Sequence, residues 1–334
     1  MSKYSLTPVH DFEKWDEFVE KSLEGTIFSS SDYIQAIEKP HELFYVLKGE
    51  EKKAGVSLIL SDDRSGCVLD DLVIYNGIFF NFDPTMKSVK SRTERFEITE
   101  FIIQELDKRY LPVEMALAPQ FEDMRPFLWH NYHSALSEKI YNCDLRYTSY
   151  LDISELVFNK NEENTKLFRN LDTLRQRNIR EGRKKGAKVV AGRDIQLFLD
   201  FYSETLRAQE QSVDAKKEQR MGNLIESLLL KGKAFMYSSE NSDGEVGYIT
   251  IFCKDKKRAY YLFGAGHLQL ADRYLGTLSF WEAFGYLARD QGVRQVDLEG
   301  VNSPNRGSFK LSFGGDLRSY FQVYKPHNLS DLHR

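Results

Sequence analysis

The sequence predicts an α/β (α+β) chain of two similar domains with mixed, largely antiparallel sheets, arranged as a tandem duplication. Three observations carry that expectation. The chain has 334 residues, too long for one ordinary core and about right for two, since domains cluster near roughly 100 to 200 residues. Its composition, 41% hydrophobic and 29% charged, is that of a globular protein, and no apolar run approaches the roughly 20 residues that span a bilayer. One order of elements is also written twice, which a duplication accounts for.

In the first half, Leu43 to Lys48 and Ala54 to Ser61 read as strands about the turn GEEKK, followed by strand-like stretches at Val68 to Ile74 and Ile78 to Phe82. A helix then places Phe96, Thr99, Ile103, Leu106 and Tyr110 on one face, and Pro112 to Ala118 is the next strand. In the second half, Lys233 to Ser238 and Glu245 to Cys253 flank the turn ENSDG, and Arg258 to Phe263 adds a strand. A helix from about Arg273 to Arg289 and a strand from Val293 to Leu298 complete that set. Each half opens with helical segments: Phe12 to Leu23 and Ser31 to Glu38, then Leu171 to Lys185 and Ile195 to Glu210. The domains are therefore expected at 1–150 and 151–317, with a break near 141–166; Arg318 to Lys325 alternates in strand fashion, and 318–334 could complete the first domain.

Charge and cysteine usage remove several function classes. A formal net charge of -4 argues against a protein that coats nucleic acid, so no DNA partner is expected. Cys67, Cys143 and Cys253 are isolated and odd in number, which speaks against a disulfide framework or thiolate metal site. The N-terminus MSKYSLTPVHDFEKWDEF is charged and amphipathic, unlike a secretory signal, so a cytoplasmic protein without a transmembrane anchor is expected. His130 and His133 share a short spacing, but no third ligand with suitable spacing follows, and no metal is expected. No Ser-His-Asp order or phosphate-binding Walker loop is present.

Chemistry concentrates in three segments. The first is DLEGVNSPNRGSFKLSFGGDLRSYFQVY, residues 297–324, where a short apolar strand enters a Gly-, Asn- and Pro-rich loop and regular structure resumes at Phe309-Lys310. Asp297 and Glu299, two apart at the strand end, share a face. Either could take a proton from an acceptor amine, or simply cap the loop. The second is RQRNIREGRKKGAKV, residues 175–189, with Arg177 and Arg180 among seven basic residues against Glu181 alone. It fits either a solvated helix face or capture of phosphates. The third is ADRYLGT, in which Arg273, Gly276 and Thr277 open a helix and could offer backbone N–H groups to a pyrophosphate. The same helix, opening near Asp272, also packs without a ligand.

The order of two helices, hairpin, strand, helix and strand is that of a GNAT domain. With the segments just quoted, the chain resembles the Fem family of peptidoglycan-bridge aminoacyl transferases and the related tandem-GNAT acyltransferases. No heptad-bearing insertion marks a helical arm, so the resemblance is to the compact members. It implies a donor site in the second domain and an acceptor site in the first. It also assigns the Phe309-Lys310 pair to the active site, with Lys310 stabilising the developing oxyanion. Arg273, Gly276 and Thr277 match the R-x-x-G-x-G/A turn of GNAT enzymes except that Leu278 replaces the last small residue. On the acceptor side the resemblance points to Ser31 within GTIFSSSDYIQAI, to Tyr75, Asn76 and Asp83 within DDLVIYNGIFFNFDP, and to Arg125 and Trp129 in the acidic, aromatic loop that follows.

Two donors fit these features. The partial R-x-x-G turn favours acyl-CoA, whereas the basic run and the Phe-Lys pair suit aminoacyl-tRNA equally well. The acceptor is expected to be an anionic small molecule bearing an amino group, such as an amino-sugar nucleotide or a peptidoglycan precursor. A non-catalytic tandem GNAT that binds a ligand or serves as a scaffold is the rival from another class.

Overall fold

The computed structural model describes residues 2–81, 83–136, 139–158, 162–212, 214–270 and 272–325. The chain forms two compact units, one of Met1–Arg146 with Ser319–Arg334 and the other of Tyr147–Arg318. Of the C-terminal segment expected to return to the first domain, residues 326–334 lie outside the described residues.

The first unit begins with β1 (Ser5–Pro8), α1 (Phe12–Lys21) and α2 (Ser31–Ala36). Asp11 caps α1 by accepting the Lys14 N–H at 3.0 Å, and the i, i+3, i+4 set Trp15, Phe18 and Val19 turns inward. Antiparallel strands β2 (His41–Lys48), β3 (Glu51–Ile59) and β4 (Gly77–Phe80) follow, and β1 joins them in the order β1-β2-β3-β4. Helix α3 (Ser88–Asp107), β5 (Val113–Ala116) and α4 (Arg125–Trp129) complete the repeat. The core of this unit gathers Val56, Leu58 and Phe80 from the sheet with Ile98, Ile102 and Leu106 of α3. A second cluster joins Trp15 and Phe18 to Tyr45 and Phe79.

The expected strand at Val68 to Ile74 does not form. Only Cys67 makes an isolated bridge, and Asp70 turns the chain by accepting the Leu72 N–H at 3.0 Å. Strands β4 and β5 do not pair as strands either. Asn76 links them instead: its N–H donates to the Ala116 carbonyl and its Oδ1 accepts the Ala116 N–H, both at 2.7 Å.

The break expected near 141–166 is another departure, because Asn142–Asp152 is a strand, β6, along which the chain leaves the first unit. The second unit continues with α5 (Lys166–Asn170), α6 (Thr173–Lys184), β7 (Lys188–Ala191), α7 (Ile195–Ala208) and α8 (Ala215–Leu230). Its repeat proper is β8 (Ala234–Glu240), β9 (Val246–Lys254), β10 (Ala259–Gly266), α9 (Tyr274–Arg289), β11 (Gln295–Asp297) and α10 (Pro304–Leu311). Strand β12 (Asp316–Lys325) carries the chain back to the first unit, where Gln322 to Lys325 pair with β5.

Within the second unit the sheet runs from β6 through β11, β10, β9 and β8 to β7. All neighbours are antiparallel except β10 and β11. Helix α9 lies on it almost wholly buried, with Leu278, Trp281, Phe284 and Leu287 in the core beside Phe252 and Phe313.

Candidate functional site

The one parallel pair among the described residues of the second unit is short. Ala259 faces Val296 and Tyr260 faces Asp297, after which β11 ends while β10 runs on from Tyr261 to Gly266. A bulge in β10 between Tyr261 and Phe263 bends it at this point. Beyond Tyr260, no described strand pairs with β10 on the side that β11 vacates. Backbone N–H and C=O groups along that edge are therefore available to a ligand. The edge leads to α9, whose first turn includes the half-buried Gly276 and the fully buried Thr277.

At the mouth of this fork the chain places two carboxyl groups and an ammonium. Asp297 is fully buried; it accepts a hydrogen bond from the Thr148 hydroxyl and, at 2.8 Å, the N–H of Glu299. It thus caps the loop, one of the two roles its spacing allowed. Glu299 is 3% exposed, and its Oε1 has no hydrogen-bond partner. Its backbone is held at φ 53°, a left-handed conformation that costs a non-glycine residue of order 1 kcal/mol or more. Burial, and secondarily the Asp297 charge, push its carboxyl well above the usual carboxylate range, against the opposing pull of Lys310.

Lys310 donates to the carbonyl oxygens of Glu299 at 3.2 Å and Gly300 at 3.4 Å, and its ammonium lies 4.9 Å from the centre of the Tyr261 ring. An ammonium has three donors, so one N–H remains beyond these two carbonyls. Burial lowers its pKa, partly offset by Glu299 and Asp297. Both Phe309 and Lys310 lie on α10, a helix opened by Pro304 in its first turn. The sequence suggested that regular structure resumes only at Phe309. Phe309 packs against Phe280 and Phe313, with ring centres 5.2 and 5.3 Å away.

Thr277 spends its hydroxyl inside the fold, accepting from Arg175 Nη1 at 2.6 Å and from Asn178 at 3.3 Å. Arg175 also stacks its guanidinium 4.7 Å from the Phe309 ring and so ties α6, α9 and α10 together. Gly276 leaves room above the Tyr248 ring, which a Cβ would approach to 3.3 Å. Arg273 is exposed at the N-cap, without a side-chain cap bond, and Asp272 does not cap the helix. Of the basic run, Arg180 is paired with Glu163 and Arg183 with Glu162 and Glu282, while Arg177 is exposed. With Lys185, which pairs with Glu181, three of the seven basic residues of that run are held in ion pairs within the unit.

The first-unit candidates are more dispersed. Tyr75 is buried beside Phe28 and Tyr320, and Asn76 makes the strand link described above. Ser31 is not the N-cap of α2; Ser30 holds that place, and the Ser31 hydroxyl and N–H both donate to Asp16. Asp83 is exposed in a turn closed by Thr85. Arg125 pairs with Asp123 and lies over Phe96 and the half-exposed Trp129. His130 is bound to Asp107 at 2.8 Å, and no group of three potential ligands for a metal occurs among the described residues.

Thr148 and Tyr261 complete the second-unit site without having been singled out from the sequence, and Arg175, which belongs to the basic run, serves Thr277 and Phe309 within the fold. Thr148 lies in the segment that the sequence suggested as the break between the domains. Among the described residues, no helix is long and apolar enough to cross a membrane.

Comparison with known proteins identifies one domain and a shared fold. Residues 174–309 match the acetyltransferase (GNAT) domain. No curated protein matches the sequence. The fold is similar to that of FemX, with 11% identity, a TM-score of 0.64 and coverage of 95% of this chain and 96% of that one. L-PGS from Bacillus licheniformis has 12% identity and a TM-score of 0.56, covering 97% and 95%. A tandem GNAT protein from the clavulanic acid biosynthesis pathway has 12% identity and a TM-score of 0.52, covering 96% and 97%. Residues 174–309, within the second unit, therefore match a GNAT acetyltransferase domain, and the chain as a whole shares the fold of FemX and of a tandem GNAT protein.

Proposed function

We propose that the protein is an N-acyltransferase that takes an acyl group from acyl-CoA and passes it to an amino group of an anionic cell-envelope precursor. An amino-sugar nucleotide or a peptidoglycan precursor would serve as acceptor. The observation that carries this reading is the fork itself, where the open edge of β10 leads to the start of α9 and the buried Glu299, whose Oε1 has no hydrogen-bond partner, is gripped at its backbone carbonyl by Lys310. The open edge suits a ligand with amide groups, and the start of α9 suits its phosphates.

Acyl-CoA would supply an activated carbonyl, so the chain need only position the reactants, accept a proton and stabilise the oxyanion. Glu299 is the base in this scheme: its carboxylate form is made basic by burial and takes the proton lost by the attacking amine. The free N–H of Lys310 stabilises the carbonyl oxygen as negative charge develops there, while the Glu299 and Gly300 carbonyls fix its direction. Asp297 and Thr148 hold the Glu299 backbone in place. The amine nitrogen gains the acyl group, and the departing thiolate takes up a proton to leave as the free thiol.

Calorimetric titration with acetyl-CoA, CoA and deacylated tRNA tests the donor. Saturable CoA binding, weakened by Arg273→Ala, is the expected result. Salt-sensitive tRNA binding without CoA binding would replace this donor with aminoacyl-tRNA, and no binding of either would favour a scaffold.

A further inference from the structure

The first unit contains a cavity of about 530 Å³, within the range of small-molecule sites. It is bounded by the end of β4, the first turns of α3 and the segment between β5 and α4. The order β4, α3, β5, α4 repeats that of β10, α9, β11 and α10. The cavity therefore occupies, in the first repeat, the place where the second repeat has its open strand edge and the start of its long helix.

Its charges are unevenly committed. Arg95 is paired at 2.9 Å with Glu24, a buried carboxylate that also accepts the Phe80 N–H. Arg125 is tied to Asp123. Arg92 makes no hydrogen bond or ion pair among the described residues, although its field adds to the effect of Arg125 in holding the Asp123 carboxyl low. Glu122 is the remaining acid of the lining, and it is exposed. Ser88 and Ser91 stand in the opening turns of α3, where no side chain caps the helix and the positive end of its dipole is directed. Phe96 and Phe121 supply apolar walls.

We infer that this cavity binds a phosphate-bearing ligand, with the phosphate held by Arg92, Ser88 and Ser91 and the remainder packed on Phe96 and Phe121. A guanidinium fork and hydroxyls at a helix start match the geometry and charge of a phosphate. Aromatic walls beside them favour an organic phosphate over the bare ion. The site rests on first-unit residues alone and stands whether or not Glu299 and Lys310 catalyse acyl transfer.

The test is calorimetric titration of the full-length protein with inorganic phosphate, glycerol 3-phosphate and a nucleoside monophosphate, in the wild type and in Arg92→Ala, Arg92→Lys and Ser91→Ala. At least one organic phosphate should bind saturably and more tightly than inorganic phosphate. Arg92→Ala should weaken it by about tenfold or more, with Arg92→Lys between the two, as expected for a bidentate contact. Arg92 is exposed, so the melting temperature of the unliganded variants should be unchanged and a loss of binding is not a loss of fold. Preference for glycerol 3-phosphate would identify a lipid headgroup, and preference for the nucleotide a nucleotide-linked ligand. Saturation by none of the three, equal affinity for all, or affinity unaltered by Arg92→Ala would overturn the assignment.

Discussion

The two repeats follow one order of elements but treat the gap between their paired strands differently. In the second, β10 and β11 meet through two residue pairs and then part, and the loop after β11 carries Glu299 towards Lys310 on α10. In the first, β4 and β5 never pair as strands; the Asn76 side chain makes the link, and the helix after β5 bears Arg125 already bound to Asp123. A common frame thus supports two kinds of site. One holds a buried carboxyl, with one oxygen lacking a hydrogen bond, in a left-handed backbone, as sites that do chemistry often do. The other holds a cavity whose acids are largely paired, as a binding site requires.

If chemistry resides in the second repeat, Lys310→Ala should have the largest effect. Loss of one oxyanion donor costs about 10²- to 10³-fold in kcat, and steady-state kinetics should place the loss there with KM for the donor little changed. Glu299→Gln should cost about 10²-fold or more, as expected for a general base. The pH profile sharpens the assignment: the rate should rise as the Glu299 carboxyl ionises, above the usual carboxylate range, and fall as Lys310 loses its proton, below the usual lysine range. Glu299→Gln should abolish the rising limb.

Stability should separate Glu299 from an ordinary structural carboxylate. Its folded-state pKa is raised, so the folded protein keeps a proton that the unfolded chain has lost. Stability from this group therefore declines as pH rises from about 4.3 towards the folded value. Glu299→Gln should flatten that decline in denaturant titrations and leave the protein at least as stable near neutrality.

Two smaller effects address each repeat in turn. A Cβ at Gly307 would lie 2.5 Å from the Val301 carbonyl oxygen, so Gly307→Ala should displace α10 from the loop that Lys310 grips. An overpacking cost of about 1 to 3 kcal/mol is expected, with kcat falling more than donor affinity. Asn76→Ala leaves the buried Ala116 N–H without its partner and should cost about 1 to 3 kcal/mol in unfolding free energy. Donor binding should be unaffected, since only the first unit is altered.

The repeat was legible because strand alternation, turn residues and an amphipathic helix recur in the same order, and local patterns of this kind depend on neighbours along the chain. Strand β6 was not, because NCDLRYTSYLD mixes charged and polar residues and only Tyr150 and Leu151 among its apolar residues are buried. Helix α10 was obscured by Pro304 and Gly307, which read as loop formers although Pro304 begins the helix. Within the site, Asp297, Glu299 and Lys310 were visible because they lie close together in sequence. Thr148 was not, and Arg175 was visible only as part of the basic run, since their partners Asp297 and Thr277 are 149 and 102 residues away.

The most direct test of the central claim is thiol release from acetyl-CoA in the presence of a panel of amino sugars, amino-sugar nucleotides and peptidoglycan stem peptides, run beside CoA binding for wild type and Lys310→Ala. Acceptor-dependent thiol release by the wild type, lost in Lys310→Ala while CoA binds both equally, is the predicted result. Undiminished release by Lys310→Ala, or failure of CoA to bind the wild type, would contradict the assignment of acyl-CoA chemistry to the second repeat.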